Sequence, residues 1–145
     1  KQQVILHSLL HQVPASEAMV TDFRSLQPDD LLSDALKHFH HGCQEDFPVI
    51  GGNGVEGILT RQTILASIHS KGLDVPVSEV MDRDFTAVSS KMSLDDIYKK
   101  LLSSQKTSMA VVDDGQVKGI ISLDGVGRYF MIKAALRKNN SEKNT

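Results

Sequence analysis

Apolar positions along this chain fall into one order of patterns twice over. Leu31, Leu32, Ala35, Leu36 and Phe39 recur at three- and four-residue spacing, as do Leu94, Ile97, Tyr98, Leu101 and Leu102. Each set makes a single stripe down a helix. After each stripe come two short apolar runs, 47–50 with 55–60 and 109–113 with 116–122, which predict strands. Asn53-Gly54 and Asp114-Gly115 lie between the runs and favour tight hairpins. Ahead of each helix the pattern predicts a brief extended segment, 23–27 or 85–89. Before that comes a short helix, 16–19 or 78–81, starting on a Ser suited to capping. A closing helix is predicted over 61–70 in the first half and from about 123 to 138 in the second. Ser93 with Asp96 three residues on resembles a capping arrangement, and Gly42 is a plausible helix stop.

The two series are copies. Pro14-Ala-Ser-Glu-Ala-Met19 returns 62 positions later as Pro76-Val-Ser-Glu-Val-Met81, and the same offset carries Asp22-Phe23 onto Asp84-Phe85 and Val49 onto Val111. Sliding 13–65 onto 75–127 gives 14 identities in 53 positions without a gap, where average residue usage gives about three. Each copy of about 60 residues is too small to bury much surface alone. Two copies packed through their sheets share a core and leave clefts between them, and those clefts are where a ligand belongs. The expected organisation is a helical connector over 1–12, one repeat over 13–74, a second over 75–138, and a disordered polar tail over 139–145.

Composition narrows the classes further. The chain has 145 residues, 40% of them hydrophobic and 23% charged, which is ordinary for a globular domain. Sixteen Lys and Arg against eighteen Asp and Glu leave a net charge of −2, no electrostatic footprint for nucleic acid. Apolar runs stay well short of the roughly 18 residues that a membrane-spanning helix needs. A lone cysteine, Cys43, has no internal disulfide partner, which fits a reducing compartment. The chain opens Lys1-Gln2-Gln3 without an initiator Met or a signal peptide, and is read as a piece of a longer protein.

Two β-α-β-β-α copies, each with a Met closing its short first helix, followed by Phe47-Pro-Val-Ile50 and Gly57-Ile-Leu-Thr60, resemble a pair of CBS domains, a Bateman module. The resemblance covers about residues 13 to 136. It implies an α+β fold of two repeats related by a pseudo-twofold axis and packed through their small sheets. It also implies a homodimer that senses adenine nucleotides or related small molecules for an attached enzyme or transporter. A narrower resemblance rests on Asp22-Phe-Arg-Ser-Leu26, Gln44-Glu-Asp-Phe-Pro-Val49 and the run from Gly127 to Leu136. These are similar to the C-terminal CBS pair of bacterial site-2-protease-type zinc metalloproteases. It implies that the fragment is the cytoplasmic regulatory part of an integral membrane protein. Zinc then belongs only to a protease part upstream, since no His-Glu-x-x-His is present here.

The family's nucleotide motif, Gly-h-h-Thr/Ser-x-x-Asp with h apolar, places the site. The first copy reads Gly57-Ile-Leu-Thr60-Arg-Gln-Thr63, and the second Gly119-Ile-Ile-Ser122-Leu-Asp124-Gly125. Both hydroxyls survive, while Thr63 and Gly125 stand where the ribose-binding Asp belongs and Asp124 falls one position early. Losing a charge-assisted hydrogen bond of roughly 1.5–3 kcal/mol weakens nucleotide binding. Two roles stay open for Thr60 and Ser122, phosphate contacts or helix N-caps. The resemblance adds Asp22, Phe23, Asp84 and Phe85 at the extended segments, and Phe47, Pro48, Met109 and Ala110 at the following strands, as cleft edges or as core packing.

Other signals carry less. Gly52-Asn-Gly54-Val-Glu-Gly57 matches a dinucleotide fingerprint formally but leads into a predicted strand, where the fingerprint must open a helix. His38, His40, His41 and Cys43, with His7 and His11 upstream, are metal-ligand types. Consecutive His40 and His41 point in different directions on a helix, so a solvated helix end is expected and no metal site. No nucleophile–base pair, metal-binding carboxylate cluster or phosphate loop stands at diagnostic spacing, so the fragment is not expected to be an enzyme. Its expected partners are a second copy, the membrane protease part of the same chain and a small nucleotide. A ligand-free dimerisation module is the rival reading.

Overall fold

The computed structural model describes residues 12–42 and 44–143. The first apolar stripe folds as α1 (Leu32–His41), with the Leu31 N–H donating to the Asp34 carboxylate at 3.0 Å across its first turn. Strands β1 (Phe47–Gly51) and β2 (Gly54–Leu59) pair antiparallel and lead into α2 (Arg61–Lys71). The second copy repeats the order with β3 (Ala87–Val88), α3 (Leu94–Ser104), β4 (Ser108–Asp113), β5 (Gln116–Ser122) and α4 (Leu123–Lys143). The Asp96 N–H donates to Ser93 Oγ at 3.1 Å, the cap that the sequence suggested. In both hairpins the register shifts at the same repeat position, Val49/Ile50 and Val111/Val112.

Several details differ from the sequence reading. The two short helices are 3₁₀ turns, Ala15–Glu17 and Val77–Glu79, preceded by Pro14 and Pro76. Ser16 and Ser78 therefore sit inside the turns and do not cap them, because proline fixes the extended conformation needed one residue earlier. The extended segment of the second copy forms β3, parallel to β4, whereas its counterpart makes one parallel bridge, Leu26 to Val49. In the second hairpin Asp114 and Gly115 both adopt positive φ, 52° and 78°, as a tight turn demands. In the first, the turn falls on Gly52 and Asn53, one residue early, and Gly54 (φ 93°) already pairs with Gly51. The last helix runs on to Lys143, so the polar segment after Lys138 is helical through that residue. Residues 1–11, which hold most of the expected connector with His7 and His11, lie outside the described residues, as does Cys43. Among the described residues no helix is long and apolar enough to cross a membrane.

The copies exchange their lead-in segments. Val20 and Ile120 trade backbone hydrogen bonds at 2.8 and 3.0 Å; Asp82 and Ile58, 62 positions on and back, do the same at 2.9 and 3.0 Å. The Ala15 N–H donates to the Met92 carbonyl, and its counterpart Val77 N–H donates to the Asp30 carbonyl. Bridges Pro14–Ser93 and Leu31–Pro76 form a third reciprocal pair. Contacts that interchange under a swap of copies are what an approximate twofold axis produces. Accordingly Ala15 belongs to the core of the second copy, with Val88, Leu94, Ile97 and Leu101, while Val77 and Met81 belong to the core of the first, with Leu32, Phe47 and Ile64. The packed unit is thus offset from the sequence repeat by its first turn.

Two glycines permit this exchange. A Cβ on Gly119 would lie 2.8 Å from the Val20 carbonyl oxygen, and one on Gly57 would lie 2.9 Å from the Asp82 carbonyl oxygen. Gly119→Ala is expected to lower stability in urea denaturation by about 1–3 kcal/mol, since backbone must shift to admit the methyl group. Gly52→Ala, with nothing within 4 Å of the added carbon, is expected to change it by less than about 0.5 kcal/mol. Equal effects from the two substitutions would count against the exchanged packing.

Candidate functional site

Strands β2 and β5 lie together at the seam, and each turns into a helix through a hydroxyl residue. Thr60 Oγ1 accepts from the Thr63 N–H at 3.2 Å and donates to Thr63 Oγ1 at 3.1 Å. Ser122 Oγ accepts from the Gly125 N–H at 2.9 Å. Both hydroxyls act as N-caps, one of the two roles that the sequence left open. Over these junctions opens a cleft of about 860 Å³, within the range of small-molecule sites.

Both copies build its walls. The first lead-in segment supplies Val20, Asp22, Phe23 and Arg24, and the loop before β1 supplies Gln44, Glu45 and Asp46. Thr60, Arg61 and Gln62 form one junction; Ser122, Leu123 and Asp124 form the other, with Arg128 a turn further along α4. Thr107, Ser108 and Ile120 line it from the second hairpin, and His38 and Gly42 from the end of α1 and the residue after it.

Hydrogen bonds hold the first wall in place. The Gln44 side chain accepts from the Arg24 N–H and donates to the Arg24 carbonyl, each at 2.8 Å, splicing the lead-in segment onto the loop. Arg24 Nη1 donates to His38 Nδ1 at 3.0 Å, and the His38 ring tilts against Phe47. Asp46 bridges the copies, its Oδ1 accepting from the Arg61 N–H at 3.2 Å and its Oδ2 from Thr107 Oγ1 at 3.3 Å. A carboxylate of the chain thus lies on the N-terminus of α2, where the helix dipole favours negative charge. Ser108, 6% exposed and paired in register with Ser122, has a buried Oγ with no hydrogen-bond partner.

Of the residues that the sequence suggested, Thr60, Ser122, Asp124, Asp22 and Phe23 line this cleft. Phe47, Pro48, Met109 and Ala110 do not. All four are buried, Phe47 and Met109 within the two apolar cores, because β1 and β4 are covered on both faces over these positions. Thr63 turns its hydroxyl to Thr60, and Gly125 offers only its N–H to the cap. Asp84 and Phe85 lie on the repeat-related side, where Lys106 and Asp82 form an ion pair at 2.6 Å. The run Gly52 to Gly57 lies in the β1–β2 hairpin and opens no helix. Among the described residues no three His, Cys, Asp or Glu side chains gather as a metal site. Sequence reasoning missed Gln44, Asp46, Arg61 and Ser108. The signal that reaches them is divergence between copies, since Gln44 aligns with Lys106 and Asp46 with Ser108.

These features match a known family. The family model of the CBS domain fits residues 15–70 and again 77–131, and the chain belongs to the CBS domain family as a tandem pair. The CBS domain-containing protein YhcV of Bacillus subtilis is 26% identical over 109 residues, 74% of this chain and 78% of that protein. The CBS domain pair of protein MJ0100, solved with 5′-methylthioadenosine and S-adenosyl-L-methionine, superposes with a TM-score of 0.76 at 18% identity, covering 83% of this chain and 98% of that one. The CBS domain of a bacterial CNNM/CorC family Mg²⁺ transporter, solved with ATP, gives 0.77 at 18% identity, covering 89% and 94%.

The ion pair on the repeat-related side has a pH signature. The hydrogen bond that Lys106 Nζ donates to Asp82, against partial desolvation and with the added charges of Asp82 and Asp84, holds the Lys106 ammonium above the ordinary lysine value of 10.5. A folded-state pKa above the unfolded one gives a stabilisation that is complete below that value and fades as the pH rises through the folded pKa. Lys106→Gln is expected to lower stability by less than about 1 kcal/mol. The difference from the parent protein in urea midpoints should hold constant from about pH 7 to about 9 and shrink above about 10.5. A difference that grows with alkali would contradict the pairing.

Proposed function

We propose that this CBS pair is a non-catalytic regulatory module whose cleft holds a small adenine-bearing ligand. The observation that carries the reading is the cleft itself, which both repeats wall and which closes over two strand-to-helix junctions. A ligand there touches both copies and so favours one of their relative arrangements, which is the differential affinity that regulation requires. Support also comes from the two similarly folded CBS domains that hold adenine compounds. The host is read from the runs 22–26, 44–49 and 127–136 alone. On that basis the module regulates a membrane-embedded zinc metalloprotease of the site-2 type, from the cytoplasmic side. The complete reading frame is expected to encode His-Glu-x-x-His within a hydrophobic stretch, and a frame encoding a different catalytic or transport domain would remove this host.

A second reading, dimerisation without a ligand, draws on Met131, Ile132 and Leu136, which are exposed on α4. Thermal denaturation with adenosine, 5′-methylthioadenosine, AMP, ATP and S-adenosylmethionine separates the two. The ligand reading expects at least one compound to raise Tm in a concentration-dependent way. No shift at millimolar concentration, together with a dimer in sedimentation equilibrium, would replace it with the second.

A further inference from the structure

We propose that the apolar stripe exposed on α4 is a docking face for the chain's own residues 1–11. Met131, Ile132 and Leu136 are 70%, 57% and 52% exposed, and Ala135 between them is exposed too. The four stand at i, i+1, i+4 and i+5, so they share one side of the helix and make one continuous patch. Val126, on the side turned inward, is fully buried in the core of the second copy.

The occupant follows from where the chain enters the fold. Val13 packs against the core of the second copy, and its carbonyl accepts from the Leu94 N–H at 2.8 Å, at the start of α3. The far end of α3 meets the start of α4, since the Leu123 N–H donates to the Thr107 carbonyl at 3.0 Å. The two helices also pack on each other, so they run in opposite directions. With 11 residues in α3, its start lies level with a point about eleven residues into α4, beside the stripe. Tyr129 of α4 accordingly packs on the same core as Val13.

Pattern and length agree with this placement. Ile5, Leu6, Leu9, Leu10 and Val13 repeat the spacing of the stripe and extend it by one turn, while Gln3, His7, Ser8, His11 and Gln12 fill the opposite side. Eleven helical residues reach about 16 Å, about as far as α4 runs from Tyr129 to Asn139. A segment joined to the fold at the edge of its site meets it at high effective concentration, an advantage that a second copy lacks. Residues 1–11 thus extend the exchange between copies, for they precede the first repeat and α4 closes the second.

The sequence contains no Trp, so a single indole placed in the full chain reports its surroundings. Leu9→Trp, on the apolar side of the segment, is expected to emit to the blue of His7→Trp and to resist iodide quenching. Ile5→Trp, one turn away on the same side, should behave as Leu9→Trp does. Adding Ile132→Asp should move the Leu9→Trp emission to the red and leave that of His7→Trp unchanged. The blue emission should be the same at low and high protein concentration. A blue shift that appears only as sedimentation detects dimers gives the stripe to a second copy and overturns the proposal. Emission from Leu9→Trp and Ile5→Trp as red and as quenchable as from His7→Trp overturns it, as does a blue emission that Ile132→Asp leaves in place.

Discussion

The exchange of lead-in segments is the constraint on which the rest of the molecule depends. An outer strand of a small hairpin presents unpaired N–H and C=O groups, and two such edges, β2 and β5, meet near the pseudo-twofold axis. The chain closes them reciprocally, Val20 onto Ile120 and Asp82 onto Ile58, so that each copy supplies backbone partners to the other. Each exchanged bond contributes only about 0.5–1.5 kcal/mol net, but leaving it unmade in a buried seam costs more. The exchange also delivers apolar side chains across the seam, Ala15 one way and Val77 with Met81 the other. Neither copy holds a complete core by itself, which fits the difficulty of burying enough surface with about 60 residues. Cooperativity between the halves is therefore built into the chain path.

That same path explains where the cleft forms and why its chemistry differs from its repeat-related counterpart. Core positions tolerate little change, because a methyl group at Gly57 or Gly119 already meets backbone. Rim positions carry no such restraint. Val20 on one side answers to Asp82 on the other, and Gln44 answers to Lys106. At the first rim an amide splices two backbone segments, and at the second an ion pair spans the equivalent space. Duplication thus yields a symmetric scaffold with two chemically distinct faces, and ligand recognition at one need not be repeated at the other.

Much of the fold was legible because duplication leaves a signal independent of propensity. An ungapped offset of 62 fixes element order in both halves at once, and the stripes ending near Phe39 and Leu102 name the helices. What periodicity does not carry is the partner of a segment. Nothing in Pro14 to Met19 says that it packs on the other copy, since an apolar residue reads the same against either core. The Ser caps were misplaced for a local reason, as Pro14 and Pro76 already hold the extended residue before each turn. Of the site, the hydroxyls of Thr60 and Ser122 were legible from a strand-to-helix motif. Asp46 was not, because its bridge to Thr107 arises only when the two copies are brought together.

The two junctions, alike in sequence, differ in what they leave for a ligand. At the first, Thr60 accepts from a backbone N–H and gives its proton to Thr63, while Asp46 receives both Arg61 and Thr107. That corner already engages the chain's own groups. At the second, the Ser122 cap uses only a lone pair, so its hydroxyl proton takes no part in the cap, and the Ser108 hydroxyl beside it is unpaired. The first junction therefore spends its hydroxyl proton within the chain, and the second does not spend it on the cap.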